Sequence, residues 1–284
     1  MALLRGQNQV ALDAFSQALA SELRRLAPSR ERVAWYSWQL GDTAFFMGDL
    51  RTASARYDDA LMAYPGYFRA LASRGRLDAA GGNYQQSIAD YRAAIDQLPD
   101  PTFVAELGDV YRISGDSGAA RREYDLVDFI GHLSKINGVM YNRQLVMFEA
   151  DHDRNSQKAY LAAEREYRTR SDILGADALA WAALKAGKPT VARAAMQSAL
   201  RLGTQDPRLL FHAGMIAKAN GEFAASRHYL ESALNLNAHF DPLQAIVAQE
   251  ALAQLTRNPD GERDANALSA SRELQLVKPS GPSL

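Results

Sequence analysis

The 284 residues carry 32 Lys and Arg against 33 Asp and Glu, a formal net charge of −1, and this balance leaves no basic excess for general affinity to nucleic acid or anionic lipid. The chain has no cysteine, which excludes disulfides, thiolate catalysis and zinc–thiolate centres. No stretch approaches the roughly 18 apolar residues of a membrane helix, so membrane insertion is not expected, and Met1 to Leu4 do not open a secretory signal.

Taken in chain order, the residues repeat themselves. Gly6, Ala11, Phe15 and Ala18 match the second half of a unit that becomes complete further on. Trp38 to Gly41 then reads W-x-L-G, followed by Ala53, Tyr57, Ala60 and Pro65. A shift of 34 turns that row into Gly75, Ser87, Tyr91, Ala94 and Pro99, and a further 33 turns it into Gly108, Ala120, Tyr124 and Val127. Residues 134–172 hold a degenerate version with helical stretches at 139–150 and 156–167. Beyond it, Ala180, Gly187, Ala192, Met196 and Ala199 recur 34 residues on as Gly214, Gly221, Ser226, Leu230 and Ala233. Asp241-Pro242 then opens a last helix to about Leu255, with Asp as N-cap and Pro at the first helical position. The polar stretch from Asn258 reads as a disordered tail, within which 265–277 has the pattern of a frayed helix.

A period of 33 to 34 residues is the length of one helical hairpin in a stacked repeat. Two antiparallel helices approach closely only where small residues meet, so Gly41 with Ala53, and their equivalents, mark the crossing. Gly48, Gly82, Gly115, Gly187 and Gly221 stand where the first helix ends and the chain needs positive φ.

These residues resemble the tetratricopeptide repeat, whose pattern W-x2-L-G-x2-Y…A-x3-F…P belongs to a 34-residue helix–turn–helix unit. The match is close over 34–133 and 173–238; one departure is Ser37 at the family's Trp position, with Trp38 one residue later. The resemblance implies an all-α fold, a right-handed solenoid of stacked antiparallel helix pairs. The expected divisions are a partial repeat at 1–20, three repeats over 21–133, a divergent repeat at 134–172, two repeats over 173–240, a capping helix at 241–256 and the tail at 257–284.

In such arrays the first helix of each pair lines the concave face, and the resemblance implies that ligands lie there. The expected groove rows are Trp35, Trp38, Asp42, Phe45 and Phe46, then Arg69, Ala72, Arg76, Ala79 and Ala80, then Thr102, Ala105, Asp109, Arg112 and Ile113. Partner contacts are expected from Trp35, Trp38, Asp42, Phe45, Arg69, Arg76, Asp109 and Arg112, with Arg69 and Arg76 exposed, since Trp and Arg dominate protein interfaces. For Trp35 and Trp38 the competing reading is packing under the partial repeat. An apolar anchor with one or two acidic groups would suit this face, although Asp42 would repel the carboxylate that chaperone-binding members of the family hold.

Catalytic motifs are missing: the sequence has no Walker loop, nucleophile elbow, H-E-x-x-H or dinucleotide-binding glycine pattern. Asp151-His152-Asp153 is the one cluster with metal-ligating chemistry, but adjacent helical residues point apart, so its plainer reading is a helix end. His212 reads as a buried, hydrogen-bonded histidine with Asp177 as partner. The leading reading is a non-catalytic scaffold that binds a protein or peptide, without cofactor or metal. The alternatives are a self-associating or docking module acting through the partial repeat, and a metal-dependent enzyme built on Asp151 to Asp153. The expected location is cytoplasmic, or periplasmic or secreted if an upstream signal has been removed.

Overall fold

The computed structural model describes residues 1–137 and 143–257 as fourteen helices preceded by one short turn of 3₁₀ helix. Six hairpins follow a leading helix α1 (Asn8–Leu23): α2 (Arg30–Phe46) with α3 (Leu50–Ala63), α4 (Phe68–Ala80) with α5 (Tyr84–Gln97), α6 (Pro101–Ile113) with α7 (Ser117–Ile136), α8 (Arg143–Asp151) with α9 (Ser156–Thr169), α10 (Ile173–Lys185) with α11 (Pro189–Leu200), and α12 (Pro207–Ala219) with α13 (Phe223–Leu236). A closing helix α14 (Gln244–Arg257) covers the last hairpin. The expected tail and the start of the stretch at 139–150 lie outside the described residues.

Each boundary has a local cause. Ser29, Asp49, Asp100, Asp116, Asp172 and Asp206 each accept a backbone N–H at the head of a helix, satisfying donors that the first turn leaves orphaned. The five glycines expected to turn the hairpins all have positive φ, from 72° to 91°. The divergent hairpin has no glycine there, and Asp153 (φ 52°) with Asn155 (φ 46°) makes the turn instead, two of the residue types that tolerate it best. Helices α3 and α5 end two residues before Pro65 and Pro99, because proline disfavours helical geometry in the residue ahead of it.

The small residues are where the hairpins close. A Cβ on Gly41 would lie 2.7 Å from the Tyr57 ring, on Gly75 2.8 Å from Tyr91, and on Gly108 2.5 Å from Tyr124. Tyr57 and Tyr91 are fully buried against these bare backbones. Alternate helices form an inner layer in which α2, α4, α6, α8, α10, α12 and α14 touch in sequence, and the other helices form the outer layer. The core runs along the array in overlapping clusters that meet at α8, where Phe148 faces one and Val146 and Ala150 the other.

The array also meets itself. Asn237, just after α13, donates from Nδ2 to the Phe45 carbonyl at 2.7 Å, and the Cβ position of Gly48 falls against the Leu236 carbonyl. Gly6 lies against Gly203 and Gln205, and the Arg208 guanidinium stacks 4.9 Å over the Phe46 ring. The first full hairpin therefore packs on the sixth, and the inner layer curls into one closed turn.

Candidate functional site

Closure changes what the inner face offers. On the N-terminal side the expected groove residues are engaged with one another. Trp38 Nε1 donates to Ser73 Oγ at 2.9 Å, Ser73 donates to Asp42 Oδ1 at 3.2 Å, and Tyr57 OH donates to the same oxygen at 3.4 Å. Arg76 forms an ion pair with Asp42 and lies over the rings of Phe45 and Phe46. Two expectations are corrected here. Phe45 is fully buried rather than groove-facing, because its ring packs with Ala53, Tyr57 and Leu77 beneath the Arg76 guanidinium. Arg76 is not exposed: its side chain is 12% accessible, held by the aromatic pair and the carboxylate.

The remaining expected positions are scattered. Trp35 is 37% exposed and meets Phe15 of α1 edge-on at 5.9 Å, so it packs under the leading helix. Arg69 is exposed and lies over Trp38 and Phe68, 5.2 Å from each ring. Arg112 is exposed. Asp109 is buried, accepting from Tyr124 OH at 2.6 Å and bonded to His152 Nε2 at 2.7 Å. Of the eight, Asp109 alone lines a cavity on the inner face.

That cavity, about 300 Å³, lies between α6, α8, α10, α12 and α14. Its wall carries the carboxylates of Glu106, Asp109, Asp151, Asp177, Asp206 and Asp241, with Arg143 and Arg208 as its guanidinium groups and His152 and His212 as its imidazoles. Met147, Leu174 and Leu209 supply the apolar part. Leu174 is 44% exposed, so the wall is reachable from solvent.

The polar residues hold one another in place. Asp177 Oδ1 bonds His212 Nδ1 at 2.9 Å, the partnership the sequence suggested, and the His212 ring stacks on Trp181 at 4.4 Å. Asp151 Oδ1 accepts from Trp181 Nε1 at 2.7 Å and from Gln244 Nε2 at 2.6 Å. Asp241 Oδ1 caps the approach to α14 through the N–H groups of Leu243 and Gln244. The run 151–153 splits three ways: Asp151 goes to Trp181 and Gln244, His152 to Asp109, and Asp153 to Lys185 Nζ at 2.8 Å. Among the described residues no group of three His, Asp or Glu is placed to hold a metal ion.

Burial sets the charge of this site. It raises the Glu106 carboxyl to about 7 against the pull of Arg76 and Arg208, and the Asp151 carboxyl to about 6 despite His212 and Trp181. Burial and nearby Asp109 raise Asp241 as well. Burial opposes charge on the two imidazoles, but Asp109 beside His152 and Asp177 beside His212 raise both above the ordinary 6.5.

Sequence reasoning stopped the groove rows at the third hairpin and so missed most of this wall. A signal was present: Asp151 follows the fully buried Ala150 as Asp109 follows Gly108. Glu106, Asp206, Arg208, Asp241 and Gln244 carried none, since three are ordinary helix-end residues and the others sit among typical surface charges.

Comparison with known proteins agrees with the repeats. The tetratricopeptide repeat model matches residues 39–100, 73–128 and 178–245, more than half of the chain. Among proteins of curated function none matches. Among solved structures, the Cut9–Hcn1 hetero-tetramer of the APC/C matches at 15% identity and a TM-score of 0.53, covering 92% of this chain and 53% of that one. A tetratricopeptide repeat protein from Parabacteroides merdae ATCC 43184 matches at 17% identity and a TM-score of 0.48, covering 89% and 93%. PilF of Pseudomonas aeruginosa matches at 16% identity and a TM-score of 0.35, covering 88% and 99%. The repeated sequence, the stacked hairpins and the extent of the model match together make this chain a member of the tetratricopeptide repeat family.

Proposed function

We propose that the protein is a non-catalytic interaction scaffold that receives a protein or peptide segment on its inner face, at the cavity between α6, α8, α10, α12 and α14. Tetratricopeptide repeats commonly mediate protein interaction or assembly, and a concave surface reads a partner through pockets for individual side chains. The observation that carries the choice of site is the contrast between the two halves. The N-terminal inner face spends Trp38, Asp42 and Arg76 on internal bonds, whereas the C-terminal half keeps an open cavity, apolar over most of its lining and ringed by carboxylates, with an exposed Leu174 at its wall.

Site-specific photo-cross-linking tests this reading. A photoreactive amino acid at Leu174 is expected to capture a protein that the same group at Met62, which is 81% exposed on the outer helix α3, does not. A partner captured from position 62 and not from 174 would place binding on the convex side. The assembly reading draws on α1, where Val10 and Leu23 are more than half exposed; sedimentation velocity across a hundredfold concentration range would reveal self-association through it.

A further inference from the structure

The charge inside the cavity is not balanced. Arg143 directs its guanidinium to Glu166 at 2.7 Å and Asp172 at 3.2 Å, neither of which lines the cavity. Arg208 is committed to the Phe46 ring. The imidazoles of His152 and His212 each serve one carboxylate, Asp109 and Asp177. Glu106, Asp151 and Asp241 are left without a cation in bonding contact among the described pairs.

Two buried acceptors point the same way. Gln244 is 8% exposed and donates its amide N–H to Asp151, and its Oε1 has no partner. His212 is 1% exposed, and its Nε2 has none either; with the Nδ1 proton given to Asp177, the neutral ring presents Nε2 as a lone pair. An orphaned buried acceptor costs free energy that a donor recovers. The bonds to Asp109, Asp151, Asp177 and Asp241 all land on Oδ1, so each second oxygen keeps acceptor capacity.

We propose that the cavity is a receptor for an alkylammonium group, its N–H donors meeting Asp151, the Gln244 carbonyl oxygen and the Asp177–His212 pair while its methylene stem lies along Met147, Leu174 and Leu209. An ammonium carries three donors and no acceptor, which matches a wall of unfilled acceptors, and its flexible apolar stem matches the three apolar side chains. The volume, about 300 Å³, accommodates a side chain or a small free amine. Under the interaction reading above, on which the first of these sources rests, the group is a lysine of the partner; the other source is a free diamine.

Isothermal titration calorimetry on the full chain separates the sources, with 1,5-diaminopentane and N-acetyl-lysine N-methylamide as probes and 1-pentanol and glutarate as neutral and anionic controls. Both amines, or either one, are expected to bind at least tenfold more tightly than both controls. Binding of the lysine derivative alone assigns the site to a partner side chain, and binding of the diamine alone assigns it to a free amine. Affinity should rise from pH 5 to pH 8, as Glu106 and Asp151 lose protons and the imidazoles of His152 and His212 lose charge, in a wall that also carries Arg143, Arg208, Asp109, Asp177, Asp206 and Asp241. Asp151→Asn and, separately, Gln244→Met should each lower amine affinity at least fivefold while circular dichroism shows unchanged helicity. Equal binding of amine and control, or preference for glutarate, overturns the proposal. A partner captured at Leu174 that 1,5-diaminopentane and the lysine derivative both fail to displace would overturn it too, while leaving the scaffold reading standing.

Discussion

At the scale of single residues, Arg69 and Arg76 show how far side-chain environment departs from helical position. Seven residues apart, both fall on one face of α4, yet Arg69 is exposed over Trp38 and Phe68 while Arg76 is enclosed by Phe45, Phe46 and Asp42. Arg69→Glu should leave stability within about 0.5 kcal/mol, as for most surface changes. Arg76→Glu places a second carboxylate beside Asp42 and should cost on the order of 3 kcal/mol, the scale of a broken buried pair, read as a lowered urea midpoint. Titration behaves in an equally position-specific way. Glu106 and Asp151 have folded values near 7 and 6 against ordinary values of 4.5 and 3.8, so the folded chain holds protons that the unfolded chain has released. Their stabilising contribution is complete below about pH 4 and is lost as pH rises to about 7. The raised imidazoles of His152 and His212 act in the same direction just above pH 6.5. Glu22, Asp49 and Asp172, which are lowered, oppose this only toward strong acid. The urea midpoint should therefore be higher at pH 5.5 than at pH 8, and Asp151→Asn with Glu106→Gln should flatten that slope.

At the scale of elements, the sequence was most legible where backbone geometry admits few residue types. The spacing of Gly48, Gly82, Gly115, Gly187 and Gly221 located the hairpin turns because L side chains rarely adopt their φ. The pairing of Gly75 with Tyr91 and of Gly108 with Tyr124 located the crossings because a ring fills the place of the absent side chain. The divergent hairpin was less legible because Asp153 and Asn155 replace glycine there. The inner wall was harder still: whether Asp151 faces Trp181 and Gln244 depends on α14, 93 residues on in the chain, and no local pattern encodes that. The close crossings make a measurable claim. Gly108→Val places branched carbons into the Tyr124 ring 2.5 Å away and should cost about 2 kcal/mol or more, since overpacking of this kind typically costs 1–3. Adding Tyr124→Leu should recover part of that loss by making room.

At the scale of the whole molecule, closure decides which surface is free for a partner. A repeat array is stabilised through neighbours alone, but here the loop after α2 also packs on the end of α13, joined by Asn237 and the Phe45 carbonyl. Two glycines of like φ separate this effect from backbone strain. Gly82 (φ 76°) has open space around its Cβ position, and Gly48 (φ 79°) has the Leu236 carbonyl against it. Gly82→Ala should cost about 1 kcal/mol for the left-handed conformation, and Gly48→Ala should cost clearly more because it also pries the two hairpins apart. The most direct test removes one bond between the two ends. Asn237→Asp keeps the oxygen that accepts the His239 N–H and removes the amide donor to the Phe45 carbonyl at 2.7 Å. The variant is predicted to lower the urea midpoint by the equivalent of about 1–3 kcal/mol, the cost of leaving a buried acceptor without its donor. An unchanged midpoint on a chain of unchanged helicity would show that the two ends do not meet and would contradict the closed turn.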